Sequence, residues 1–284
     1  MKITDTFDKI PSLFENGSFC MGRWEEYARA IHPDLASLCQ EDVRECIATG
    51  QVSWEENYLP VLNAVMADDE KRKAAHASFL RATKGLEEKI TAAFGRAPDV
   101  EIILYLGLCC GAGWVTELGG KTVVLLGLEK IMELSWHGES TMLGLIYHEL
   151  GHVYQAQFGV LERELPEGRQ SFLWQLFTEG IAMVFEQDVA GTPDVFHQYD
   201  GAWKAWCDEH FAAILRDFTA DLPAMTFAGQ RWFGDWVRYE GRGDVGYYLG
   251  CRFVRFILEK YAFDEILSFE IGQVEALYAQ FAAR

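Results

Sequence analysis

The chain has 284 residues, half of them hydrophobic, and a formal net charge of −18 at pH 7. That length and composition allow a sizeable buried core and exclude a disordered chain. No Lys/Arg cluster offsets the negative charge, so neither a nucleic-acid backbone nor an anionic membrane surface is an expected partner.

Residues 20 to 95 read as helices separated by short turns. Trp24 to Ile31, Asp42 to Ile47, Trp54 to Met66 and Asp69 to Phe94 carry apolar positions at helical spacing, and Gly95-Arg96-Ala97-Pro98 breaks the last of them. This stretch holds no chemical constellation, and residues 1–95 are expected to form a helical N-terminal region that packs as a lid or completes the core. From residue 96 the pattern changes. Asp99 to Gly107 reads as a buried strand through Val100-Glu101-Ile102-Ile103-Leu104-Tyr105-Leu106, and Lys121 to Leu126 as another. Between them, Gly111-Ala112-Gly113-Trp114-Val115-Thr116-Glu117 reads as a glycine-broken edge strand.

The chemistry begins at Ile146-Tyr147-His148-Glu149-Leu150-Gly151-His152, an H-E-x-x-H pattern inside an apolar helical run from Ser140 or Thr141 to a stop at Gly159. Histidines four apart project from one helix face about one turn apart, so both imidazoles reach one ion, and Glu149 faces the water beside it. The pattern arises by chance in roughly one such chain in a hundred, so its context has to carry the reading. Burying two imidazoles in an apolar helix is costly unless they are occupied.

A catalytic zinc ion takes three protein ligands and keeps a position open, which sends the search downstream for a third. The run from Phe172 to Glu186 is apolar enough to be a buried helix with Glu179 in its middle, where a glutamate is expensive unless paired or metal-bound. Glu179 is therefore the expected third ligand. Glu186 is the competitor, set aside because Glu186-Gln187-Asp188 reads as a solvated helix end. After the loop Ala190-Gly191-Thr192-Pro193 come a helical run from about Gly201 to Phe218, a Trp-rich link, a helix from about Gly246 to Tyr261 and a terminal helix. In the link, Trp232-Phe233-Gly234-Asp235-Trp236 reads as core packing or as the wall of an apolar pocket. His137 is a loop residue or a substrate contact; His197 and His210 lie in a polar stretch read as exposed and receive no role.

His148-Glu149-Leu150-Gly151-His152 followed by Thr178-Glu179-Gly180-Ile181-Ala182 resembles the gluzincin arrangement of zinc peptidases, in which a glutamate on a second helix is the third ligand. Tyr247-Tyr248-Leu249-Gly250-Cys251-Arg252-Phe253-Val254 is similar to a Y-x-x-G segment of several small gluzincins, among them predicted zinc-dependent proteases of bacteria. The resemblance spans about residues 96 to 284. It implies an α+β, mainly helical fold: a zincin-like domain, 96–284, with a small mixed or antiparallel sheet packed on the H-E-x-x-H helix. It also implies that residues 111–117 line the cleft and pair with an extended peptide. Thermolysin-like enzymes carry an aspartate four residues after the glutamate ligand; here Met183 stands there, which leaves the partner of the zinc histidines unassigned.

The expected function is zinc-dependent hydrolysis of peptide bonds, with one Zn2+ per chain on His148, His152 and Glu179. Glu149 is the general base, and Tyr247 or Tyr248 is the donor to the charge developing on the carbonyl oxygen. A silent zinc-binding module and a hydrolase of non-peptide amides or esters are the alternatives. The expected partner is a peptide or protein substrate, whose free amino terminus, if recognised, would meet Glu117. Seven cysteines form no C-x-x-C pair and imply no disulfide framework. Met1-Lys2-Ile3-Thr4-Asp5 lacks the basic start and apolar run of a secretion signal, and no stretch approaches eighteen uninterrupted apolar residues. A cytoplasmic location is the corresponding expectation.

Overall fold

A computed structural model describes residues 1–199, 201–234 and 236–284. The protein is α+β and mainly helical, with a small mixed sheet. It forms two compact units, Met1–Glu149 and Leu150–Arg284, and the division falls inside one continuous helix. Among the described residues no helix is long and apolar enough to cross a membrane.

The first unit holds strands β1 (Lys2–Asp5), β2 (Phe14–Glu15), β3 (Ser18–Phe19), β4 (Glu101–Tyr105), β5 (Gly113–Leu118) and β6 (Lys121–Gly127). Its helices are α1 (Met21–Ile31), α2 (Leu35–Ala48), α3 (Leu59–Ala67), α4 (Asp69–Ala82), α5 (Leu86–Phe94) and α6 (Leu128–Glu133). Helix α7 (Glu139–Phe158) runs from this unit into the next. The sheet order is β1-β4-β6-β5, with β1, β4 and β6 parallel and β5 antiparallel to β6. β4 and β6 are the central strands, and their unbroken apolar runs bury both faces. β5 turns into β6 through Gly119-Gly120, both at positive φ, the backbone that a two-residue hairpin turn requires.

Two sequence expectations change here. Asp69 to Phe94 is not one helix: Gly85, at φ 70°, turns the chain between α4 and α5, because its left-handed backbone cannot continue a right-handed helix. The N-terminal ninety-five residues are not wholly helical either. Lys2–Asp5 is a mostly exposed strand with no apolar signature of its own, and only its pairing to β4 makes it one.

The loop that leads from β4 into β5 is fixed by side chains on other elements. Trp24 of α1 donates its indole N–H to the carbonyl of Leu106 at 2.9 Å, and the Tyr27 hydroxyl accepts the Leu106 N–H at 3.0 Å. Glu129 of α6, 1% exposed, accepts the backbone N–H groups of Gly107 at 2.9 Å and Cys109 at 3.0 Å. Burial raises its pKa, against the pull of those backbone donors.

In the second unit α7 is followed by α8 (Arg169–Ala190), α9 (Gly201–Glu209), α10 (Phe211–Asp221), α11 (Val245–Leu258), α12 (Phe263–Ile266) and α13 (Ile271–Ala282). α8 is buried nearly all round from Phe172 to Gln187, as its sequence anticipates. Its neighbours approach backbone to backbone. A Cβ on Gly180 would collide with the Gly250 carbonyl of α11, whose carbon is 2.5 Å away, and a Cβ on Gly250 would lie 2.5 Å from the Leu176 oxygen. On the α7 side a Cβ on Gly151 would stand 2.8 Å from Cα of Ala182. Trp232 and Phe233 are core residues, Trp232 stacking on Tyr239 at 4.6 Å, whereas Trp236 is 74% exposed. Asp235 lies outside the described residues.

Gly180→Ala gains up to about 1 kcal/mol of helix propensity. It forces a methyl into a backbone carbonyl that cannot rotate away, at a cost of about 1–3 kcal/mol. The expected outcome is net destabilisation, read as a lower urea midpoint with an unchanged m-value.

Candidate metal centre

His148, Glu149 and His152 lie on α7 as the sequence requires, and Glu179 lies on α8. Donor atoms of His148, His152 and Glu179 all fall within 4.8 Å of one another. His152 Nε2 stands 3.3 Å from Glu179 Oε2. That is longer than the 2.7–2.9 Å typical of a charge-assisted hydrogen bond. It equals the edge of a tetrahedron with bonds of about 2.05 Å, the separation of two ligands on one zinc ion. Two imidazole nitrogens and a carboxylate oxygen are also a donor set that zinc accepts. The residues present therefore fit a metal ion.

The packing explains why these groups meet. With Gly151 against Ala182, α7 and α8 come close enough for His152 to reach Glu179. His148 lies one turn back along α7, and Glu186 is two turns on from Glu179 on the same face of α8, since seven residues rotate a helix by nearly two full turns. A second group of possible donors, His148, Glu186 and His197, again lies within 4.8 Å. Here the structure overturns two expectations. Glu186 and Gln187 are not a solvated helix end, being 3% and 1% exposed, and His197 is not exposed but 6% accessible. His197 Nδ1 lies 2.8 Å from Glu186 Oε2.

The cause is the route taken by the chain after α8. Gly191, at φ 65°, caps the helix in the left-handed conformation, and the chain folds back so that Gln187 donates to the Val195 carbonyl at 3.1 Å. That return carries His197 over Glu186. The seven-residue spacing from Glu179 was a signal for Glu186; no local pattern marked His197.

Glu149 is not a member of either donor group. Its side chain meets β5 instead: a Cβ on Gly113 would lie 2.6 Å from the Glu149 Cγ and Cδ and would overlap its carboxylate. β5 is an edge strand of the sheet, so the edge expected within 111–117 exists as Gly113–Leu118 and begins at the residue that faces Glu149. Glu117 on this strand is exposed.

Comparison with protein-family models, with curated proteins and with solved structures gives no match to this chain.

The remaining sequence candidates separate. Tyr248 is fully buried, packs edge-on to Trp203 at 6.2 Å and donates its hydroxyl to Asp208 at 2.8 Å. Burial, with Asp208 beside it, raises its pKa. Tyr247 is half-buried and stands edge-on to Phe233 at 5.9 Å. His137 is a loop residue whose carbonyl accepts from Ser78, and burial lowers its pKa. His210 stacks on Trp206 at 4.4 Å and donates to that residue's carbonyl. Neither histidine joins a donor group.

A metal that binds only the folded chain stabilises it by about 4 kcal/mol at a thousand times its dissociation constant. Adding Zn2+ to chelator-stripped protein should raise its melting temperature by several degrees. His152→Ala should remove that rise, and a rise of equal size in the variant would exclude this donor set.

Proposed function

We propose that the chain is a zinc-dependent hydrolase of peptide bonds, with a zincin-like arrangement of the gluzincin type. The observation that carries this reading is the position of Glu149. It stands on the helix that carries His148 and His152, outside the donor group, with its carboxylate against the first residue of an edge strand. A metal site that only held helices together would have no use for a carboxylate there.

Zinc in this donor set would supply Lewis-acid polarisation of a carbonyl and acidify a nearby water. His148, His152 and Glu179 would hold it and leave a side open. An extended peptide can add to the outer edge of β5 by backbone hydrogen bonds, the simplest way to hold a chain with little regard to sequence. The missing side chain of Gly113 leaves room for the Glu149 carboxylate beside that edge. Glu149 would then take the proton from the attacking water and return it to the leaving amine. Charge on the former carbonyl oxygen calls for a neutral donor. Tyr247 is the better candidate, since the hydroxyl of Tyr248 is given to Asp208.

Glu149→Gln should bind zinc as tightly as the parent and lose peptide hydrolysis by about 10²–10⁴-fold. Full activity in that variant, or a parent protein that binds no stoichiometric zinc, would overturn the proposal. A parent that binds zinc and hydrolyses esters or non-peptide amides but no peptide would keep the chemistry and change the substrate. Gly113→Val should likewise retain zinc and lose hydrolysis, because its side chain takes the place of the Glu149 carboxylate.

A further inference from the structure

The proposed hydrolase leaves one buried pair unexplained. Glu186 and His197 are nearly inaccessible, 2.8 Å apart, and held where an unpaired charge would be costly. Their separation is that of a charge-assisted hydrogen bond. It is shorter than the edge of about 3.3 Å expected for two ligands on one tetrahedral zinc ion. Distance therefore distinguishes this pair from the pair formed by His152 and Glu179.

His148 is the member common to both groups of donors. An imidazole has a nitrogen on either side of its ring, and one that ligates a metal through the first gives the second to a carboxylate or carbonyl, which fixes its tautomer and orientation. Met183, four residues after Glu179, cannot serve as such a partner. Glu186, one turn further along the same side of α8, offers a carboxylate oxygen within 4.8 Å of a His148 ring nitrogen.

We propose that Glu186 positions His148 for the metal, and that His197 in turn holds Glu186. This rests on the proposed zinc site but assigns it residues from outside the H-E-x-x-H and E-G-I-A segments. Both are positioning residues: neither ligates the ion, and His197 acts only through Glu186. The loop after α8 thus becomes part of the metal site through a single histidine.

The test is a competition titration of full-length, metal-stripped protein with Zn2+ and a chromophoric chelator, alongside the visible absorption of the Co2+-loaded protein. Wild type should bind one equivalent. Glu186→Gln and His197→Gln should still bind one, with the Zn2+ dissociation constant raised about 10–100-fold and the Co2+ bands shifted. The double variant should lose little more than Glu186→Gln alone, because His197 acts through that residue. If Glu186→Gln does not fold, His197→Gln carries the same expectation. Unchanged Zn2+ affinity and unchanged Co2+ bands in the folded variants would overturn the proposal and leave the hydrolase reading intact. Two equivalents in wild type, one of them lost in Glu186→Gln, would make the pair ligands of a second ion and also overturn it. No stoichiometric metal in wild type would overturn the zinc site itself.

Discussion

The approach of helix backbones at Gly151, Gly180 and Gly250 is the constraint on which the centre depends. A Cβ at any of the three would meet main chain of the neighbouring helix within 3 Å. At that spacing the side chains beside the glycines, rather than the glycines, project into the gap. His152 follows Gly151 and Glu179 precedes Gly180, so these candidate ligands sit next to the points of closest approach. A displacement of α8 by one residue would rotate Glu179 by about 100° and remove it from His152. The small residues in the H-E-L-G-H and E-G-I-A segments are thus packing devices that aim the candidate ligands.

A second constraint acts on the side of Glu149. Glu129, Trp24 and Tyr27 fix the chain as it leaves β4, through hydrogen bonds to backbone atoms of Leu106, Gly107 and Cys109. That loop delivers Gly113 to the face of Glu149. The N-terminal helices contain no site chemistry, yet α1 supplies two of the three side chains in this arrangement. Their contribution to the proposed hydrolase is to place the β5 edge, and they make it through side chains tens of residues distant in sequence.

Much of this was legible because periodicity and cost speak locally. The strands at 101–105 and 121–127 declare themselves by apolar β-branched runs, and α8 by a hydrophobic stretch too continuous for a surface helix. Lys2–Asp5 was not legible, since an exposed edge strand owes its conformation to the neighbour it pairs with. The break at Gly85 was missed because apolar spacing resumes in phase after it. Glu186 looked solvated because polarity at the end of a helix normally means exposure; the chain returning from Gly191 covers it instead.

By itself, the sequence determined the α+β class, the helices bearing His148, Glu149, His152 and Glu179, and the glycine-led strand before them. These depend on residue type and short spacing, which act within a few turns of chain. Only the tertiary structure decided that His152 and Glu179 stand 3.3 Å apart, that Gly113 faces Glu149, and that Glu186 and His197 are buried together beside His148. Those facts depend on the approach of backbones distant in sequence, and no local pattern encodes the distance between two helices.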